Sequence, residues 1–176
     1  MAKLNAKRLQ EENNFLAIPK DWKKIVEKIL TNEKFLKLLY YKSKDALKLP
    51  NLSEAEKERL INKNILSHPY IPSEDEVENY IQILFDNFTQ NQVNPQYVDN
   101  MIVITLLCHK DTWILEDWNL RLYAMANEVM NMLNNKKLTG IGTVQFVTAS
   151  AFVPNSSVFG LTMTFMVINS INTKED

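Results

Sequence analysis

Hydrophobic periodicity changes once along this chain, at Ser67-His68-Pro69-Tyr70-Ile71-Pro72. Ahead of that segment apolar residues recur at helical spacing, and behind it they alternate as strand residues do. Two prolines in six residues push the preceding positions out of helix, so the segment reads as an extended linker. Charge divides at the same place. Residues 1–70 hold 15 Lys/Arg and 9 Asp/Glu, and residues 71–176 hold 5 and 12, so a formal net charge of −1 conceals +6 and −7. The three glycines, Gly140, Gly142 and Gly160, all lie in the second part. The organisation this predicts is a basic, all-helical module over 1–70 and an acidic α+β domain over 71–176.

In the first part Trp22, Ile25, Val26, Ile29 and Leu30 follow the i, i+3, i+4, i+7, i+8 pattern, with Lys23, Lys24, Glu27 and Lys28 opposite. Pro19 suits the first turn, where its missing N–H would have no partner in any case. Thr31-Asn32 marks a break, because Asn favours capping positions. Phe35, Leu36, Leu38 and Leu39 indicate a second short helix, and Pro50 closes this stretch. Ser53 and Glu56 have capping-box spacing, and a third helix of roughly 12 residues is expected through Leu60, Ile61 and Ile65.

In the second part Ile81, Ile83 and Phe85 share one face of a strand. The acids Glu74, Asp75, Glu76 and Glu78 before it would cap a short helical turn. TQNQVNPQ (89–96) is a polar loop, and a second long strand from Tyr97 to Cys108 is apolar on both faces, so both faces should be covered. Leu122, Met125, Ala126, Val129 and Leu133 then define a helix from Trp118 to Leu133, with Asp117 at its start and Asn134 to Lys137 as C-terminal signals. Trp113 and Trp118 are expected as packing anchors. Strands at 143–148 and 161–168, joined by Pro154-Asn155-Ser156-Ser157, complete the order β-β-α-β-β. The expected fold is α+β: a four-stranded, mainly antiparallel sheet with a packed helix, preceded by the all-helical module.

Chemistry is sparse. One cysteine and two histidines exclude a disulfide framework and the usual Cys/His zinc sites. No phosphate-cradling, dinucleotide-binding, nucleophile-elbow or zincin motif occurs. Cys108 and His109 are adjacent, but neighbours in a strand point to opposite faces and cannot form a dyad unless the strand ends between them. His68 lies in the linker without a partner. Asp111, Glu116 and Asp117 lack the spacing of a calcium loop. No catalytic, cofactor-binding or metal-ligating residue is therefore assigned, no cofactor is expected, and the chain is expected not to be an enzyme. No apolar run approaches the ~18 residues of a membrane span, and Met1 to Asn14 lacks a signal-peptide core, so the protein is expected in a cytoplasm without a membrane partner. Two readings of the basic helices stand open: a solvated surface, or a nucleic-acid contact used by a regulatory or packaging protein.

The segment MIVITLLCHKDTWILEDWNLRLYAMANEVMNMLNNKKLTGIGTVQF resembles the small adaptor proteins of tailed bacteriophages, the tail-terminator and neck-ring proteins between portal and tail. The resembling features are a strand ending in Leu107-Cys108-His109-Lys110, Trp113, and a helix with Arg121, Ala126, Glu128 and Leu133. Gly140-Ile141-Gly142 and a hairpin ending in Phe159-Gly160-Leu161 follow. The likeness covers residues 77–170, and the basic helical N-terminus departs from the smallest members of that group. Asn-rich, Lys-rich, glycine-poor usage is also similar to that of crAss-like phages. The resemblance implies a virion protein, assembled in the host bacterial cytoplasm, that forms a cyclic homo-oligomer of about six or twelve copies in the neck. Its partners would be itself, portal or other neck and tail proteins, and DNA passing through the channel without sequence-specific binding. In that picture the +6 and −7 parts of neighbouring copies attract one another.

Overall fold

Ile25, Val26 and Ile29 form the buried stripe of helix α1 (Ile18–Leu30), with Pro19 in its first turn. The computed structural model describes residues 15–90, 98–138 and 142–168. Met1 to Asn14, most of the polar loop before Tyr97, and Gly140-Ile141 lie outside the described residues. Asn32 caps helix α2 (Glu33–Tyr40) by accepting from the Phe35 N–H. Ser53 and Glu56 close both halves of the capping box at helix α3 (Glu54–Leu60). That helix is seven residues long, not the dozen expected, because Asn62 takes a left-handed φ of 62° and turns the chain.

The chain then enters the sheet. Strand β1 (Ile65–Leu66) runs parallel to β2 (Asn79–Gln90), pairing Ile65 with Ile81 and Leu66 with Gln82. Strand β3 (Val98–His109) is antiparallel to β2. Helix α4 (Arg121–Leu133) follows, and Asn135, at φ 55°, turns its end into strand β4 (Lys136–Leu138). Strands β5 (Gly142–Phe152) and β6 (Val158–Ile168) form a hairpin whose turn is held by Asn155 Oδ1, which accepts from the N–H groups of Ser157 and Val158.

The sheet order is β1-β2-β3-β6-β5-β4. This overturns the expected four-stranded sheet behind an all-helical module: the α+β sheet has six strands, is mixed, and takes β1 from the N-terminal part. Two short pairings made the difference, one following a truncated helix and one using Lys136 and Lys137, which had read as helix-end signals.

The described helices pack on one face of the sheet. Ile81, Ile104, Leu106, Met163 and Phe165 point to it and share one core with Ile25, Phe35, Leu39, Met125 and Val129, so a single core spans residue 70. The opposite face is closed at one end by Leu66, Tyr80, Leu107 and Val158 with Tyr70 against them. Beyond that cluster Val103, Thr162, Thr164 and Met166 are only partly covered, which corrects the expectation that both faces of β3 are buried.

Candidate functional site

The residues weighed for chemistry do not converge. Cys108 is buried on the helix-packed face, its thiol pushed up to about 11 by burial, with Thr112 Oγ1 at 3.4 Å. His109 points the other way. Its Nδ1 accepts from the Asp111 N–H at 3.2 Å and its Nε2 lies 3.0 Å from the Glu74 carbonyl, so the ring pins the linker rather than a nucleophile. Glu76 does not cap a helix: its carboxylate accepts from the hydroxyls of Tyr70 and Tyr80. His68 is exposed. Among the described residues no group of three or more His, Cys, Asp and Glu could hold a metal ion, and no helix is long and apolar enough to cross a membrane.

Arg121 is the most deeply buried charge, at 0% exposure. It opens α4 on the same stripe as Met125 and Met132, and this i, i+4, i+11 placement is the sequence signal that would have flagged it. Its guanidinium donates to four backbone carbonyls: Thr112 (2.6 Å), Leu38 (2.8 Å), Tyr41 (2.7 Å) and Ser43 (2.7 Å). Burial pushes its pKa down. The carbonyls at the C-terminal end of α2 carry partial negative charge, and they stand where a carboxylate would otherwise be needed. Arg121 is thus a structural bolt between the N-terminal helices and the sheet.

The charge split is also resolved within one chain. Lys34 pairs with Glu128 at 2.7 Å, Lys42 with Glu78 at 2.7 Å and Lys48 with Glu116 at 2.5 Å, each lysine from the basic part and each acid from the acidic part. Much of the complementarity expected between copies is therefore used inside each copy.

Three surfaces remain open, beside one small charged hollow. The first is a tight hairpin between β3 and α4. Ile114 bridges Leu120, the Leu115 N–H donates to the Asn119 carbonyl at 2.8 Å, and the Arg121 N–H donates to the Trp113 carbonyl at 2.9 Å. Its tip is Asp117 (φ 58°) and Trp118 (φ 61°), the consecutive positive values that a type I′ turn requires. Trp113 does anchor packing, 4.9 Å from the Phe159 ring, but Trp118 is 86% exposed, against expectation. The second is an apolar groove of about 510 Å³ lined by Phe15, Ile18, Pro19, Trp22, Ser67, Ile83, Leu84, Phe85 and Phe88. Trp22 Nε1 has no acceptor among the described residues. A smaller hollow holds Lys42, Arg59 and Lys63, where Glu78 pairs with both lysines and Arg59 has no ion pair among the described residues.

The third is the outer edge of β5. Strand β4 pairs only with Gly142 to Val144, so among the described residues Val147 to Phe152 has a strand on one side alone. No charged residue occurs between Leu138 and Thr173. The sequence expectation ends this strand at Thr148, four residues short of its end at Phe152, and so does not place this edge.

The family model described as YomW matches residues 32–167, more than three quarters of the chain, from the cap of α2 to the end of β6. No curated protein matches the chain.

Proposed function

The chain belongs to the YomW family, whose name is phage-derived, and from that premise we propose that it is a structural protein of a tailed-phage virion. Its copies form a cyclic ring in the neck, between portal and tail, which seals the DNA channel and docks the next component. The observation that carries this reading is the open edge of β5. Proteins that stay alone blunt such an edge with Lys, Pro, a bulge or a covering element. Here the bulge lies at the start of the free stretch, between Phe146 and Thr148, and Thr148 to Phe152 run on in regular register with β6, uncharged and exposed. A strand of the next connector component added there gains backbone hydrogen bonds for affinity and alternate side chains for specificity. This role needs no catalysis and no cofactor.

The alternative, nucleic-acid binding by the basic helices, has the hollow of Lys42, Arg59 and Lys63 in its favour. Glu78 already occupies both lysines, which leaves a single guanidinium for a phosphate. Phosphate recognition needs a denser stripe.

Size-exclusion chromatography with light scattering, followed by negative-stain imaging, tests the reading on the protein alone and with portal or tail proteins of the same phage. Rings are expected. A strict monomer under both conditions overturns it, and DNA affinity with a steep log-salt slope favours the alternative.

A further inference from the structure

A bulky residue at positive φ is an outlier, and an outlier held in place by its surroundings points toward function. Trp118 combines that conformation with near-complete exposure at the tip of a hairpin. The hairpin is braced from the helical side, where the Glu116 N–H donates to the Lys44 carbonyl at 2.9 Å and Lys48 pairs with Glu116. A tryptophan offers roughly 150–250 Å² for burial, and here nearly all of it is presented to solvent on a fixed mount.

The groove between α1 and β2 has matching chemistry. It is apolar, about 510 Å³, and within the size range of pockets that enclose a small organic group. Charge agrees as well. Asp117, exposed beside the knob, has no ion pair among the described residues, and Lys20, exposed on α1 beside the groove residue Pro19, has none there either. A copy's own hairpin does not reach: it leaves the end of the sheet where His109 and Asn79 lie, and Phe85 in the groove is roughly 20 Å further along β2.

We propose that Trp118 of one copy inserts into the groove beside Trp22 and Phe85 of the next copy. This rests on the ring reading above and names its lateral contact. Because knob and hole are different surfaces of one molecule, the contact is heterologous, and repetition closes a ring or extends a filament. The contact is separate from the β5 edge, which is left for the next component of the connector.

Two variants test it by complementation. Trp118→Ala removes the knob and leaves the groove, while Ser67→Trp fills the groove from an exposed rim position and leaves the knob. Each is expected to keep the wild-type circular dichroism and to weaken self-association more than about tenfold, as loss of a central tryptophan anchor does. Mixed in equal amounts, they are expected to give a 1:1 dimer that grows no further, since one open knob meets one open groove. Wild-type assembly by Trp118→Ala overturns the inference and leaves the ring reading standing, as does a mixture that stays monomeric or extends. A wild-type protein that stays monomeric alone and with portal or tail proteins overturns both. A photo-crosslinking benzophenone residue at position 118 gives an independent measurement. Its adduct is expected on Trp22 or Phe85 of another chain, and an adduct within the same chain or on another surface overturns the inference.

Discussion

Arg121 Nη1 donates to the carbonyl of Leu38, 2.8 Å away and 83 residues earlier in the chain. Three further carbonyls share the guanidinium, and among the described residues no carboxylate pairs with it. The charge is held by backbone dipoles alone, so it cannot be lost by acidification of a partner. Replacing it with Arg121→Met takes a donor from four carbonyls, those of Thr112 and Leu38 in buried contacts and those of Tyr41 and Ser43 nearer the surface, and the expected cost is about 3–5 kcal/mol. Arg121→Lys keeps the charge with three donors and no planar fork, and should recover part of that. Urea unfolding followed by tryptophan fluorescence measures both. A Met variant within about 1 kcal/mol of wild type would show that the carbonyls find other partners.

Glu128 makes the second tie between the two parts, and it should confer acid sensitivity. Burial pushes its carboxyl up, but the Lys34 ammonium at 2.7 Å and the Asn32 side chain at 3.1 Å together outweigh burial and hold it below the ordinary 4.5. A carboxylate with a depressed folded-state value stabilises the fold above pH 4.5, and that contribution disappears as pH falls through the folded value. Glu128→Gln should therefore cost about 1 kcal/mol near neutrality, with the difference from wild type closing below pH 4.5. Thermal unfolding across pH 3 to 7 reads the two curves. A constant difference would mean that shape rather than charge matters at this position.

The tip of the hairpin should trade stability for assembly. Left-handed conformation costs a bulky residue roughly 1 kcal/mol or more, and glycine adopts it without that cost. Trp118 loses almost no packing when removed, since it is 86% exposed. Trp118→Gly is thus expected to leave the fold intact and to raise the thermal midpoint slightly, by about 0.5–1 kcal/mol in stability. Calorimetry on the monomeric variant decides it. A lower midpoint would place Trp118 among the residues that hold the hairpin together.

Period and capping made much of the fold legible in the sequence. The stripe Ile25-Val26-Ile29, the Asn32 cap, the Ser53–Glu56 box and the alternation Ile81-Ile83-Phe85 all appear where local chemistry puts them. What escaped was decided at a distance. Two-residue β1 exists only because Ile81 and Gln82 lie beside it, and Lys136-Lys137 become a strand because Gly142 to Val144 return alongside. The Asp117-Trp118 turn lacks the glycine that would announce it. Arg121 carries a charge of the kind that seldom points into a core, yet its stripe is the buried one. The division of charge at residue 70 was visible, but its direction was not. Lys34, Lys42 and Lys48 show that attraction between the two parts acts largely within one copy, so the contacts proposed between copies draw mainly on the uncharged surfaces.

Those surfaces can be separated by a single charge. Ser150 lies midway along the free stretch of β5, exposed and paired with Thr162 on β6. Lysine there is the residue natural edge strands use to refuse a neighbour. Ser150→Lys, at an exposed position, should change stability by no more than about 0.5 kcal/mol. If β5 receives the next connector component while Trp118 joins copies laterally, the variant should form rings of wild-type size yet lose co-sedimentation with portal or tail protein. Ile71→Lys, which removes a 70% exposed apolar residue away from that edge, should alter neither property. Loss of the rings themselves in Ser150→Lys would move the copy-to-copy contact onto the sheet edge, and unchanged co-sedimentation would remove β5 as the docking strand.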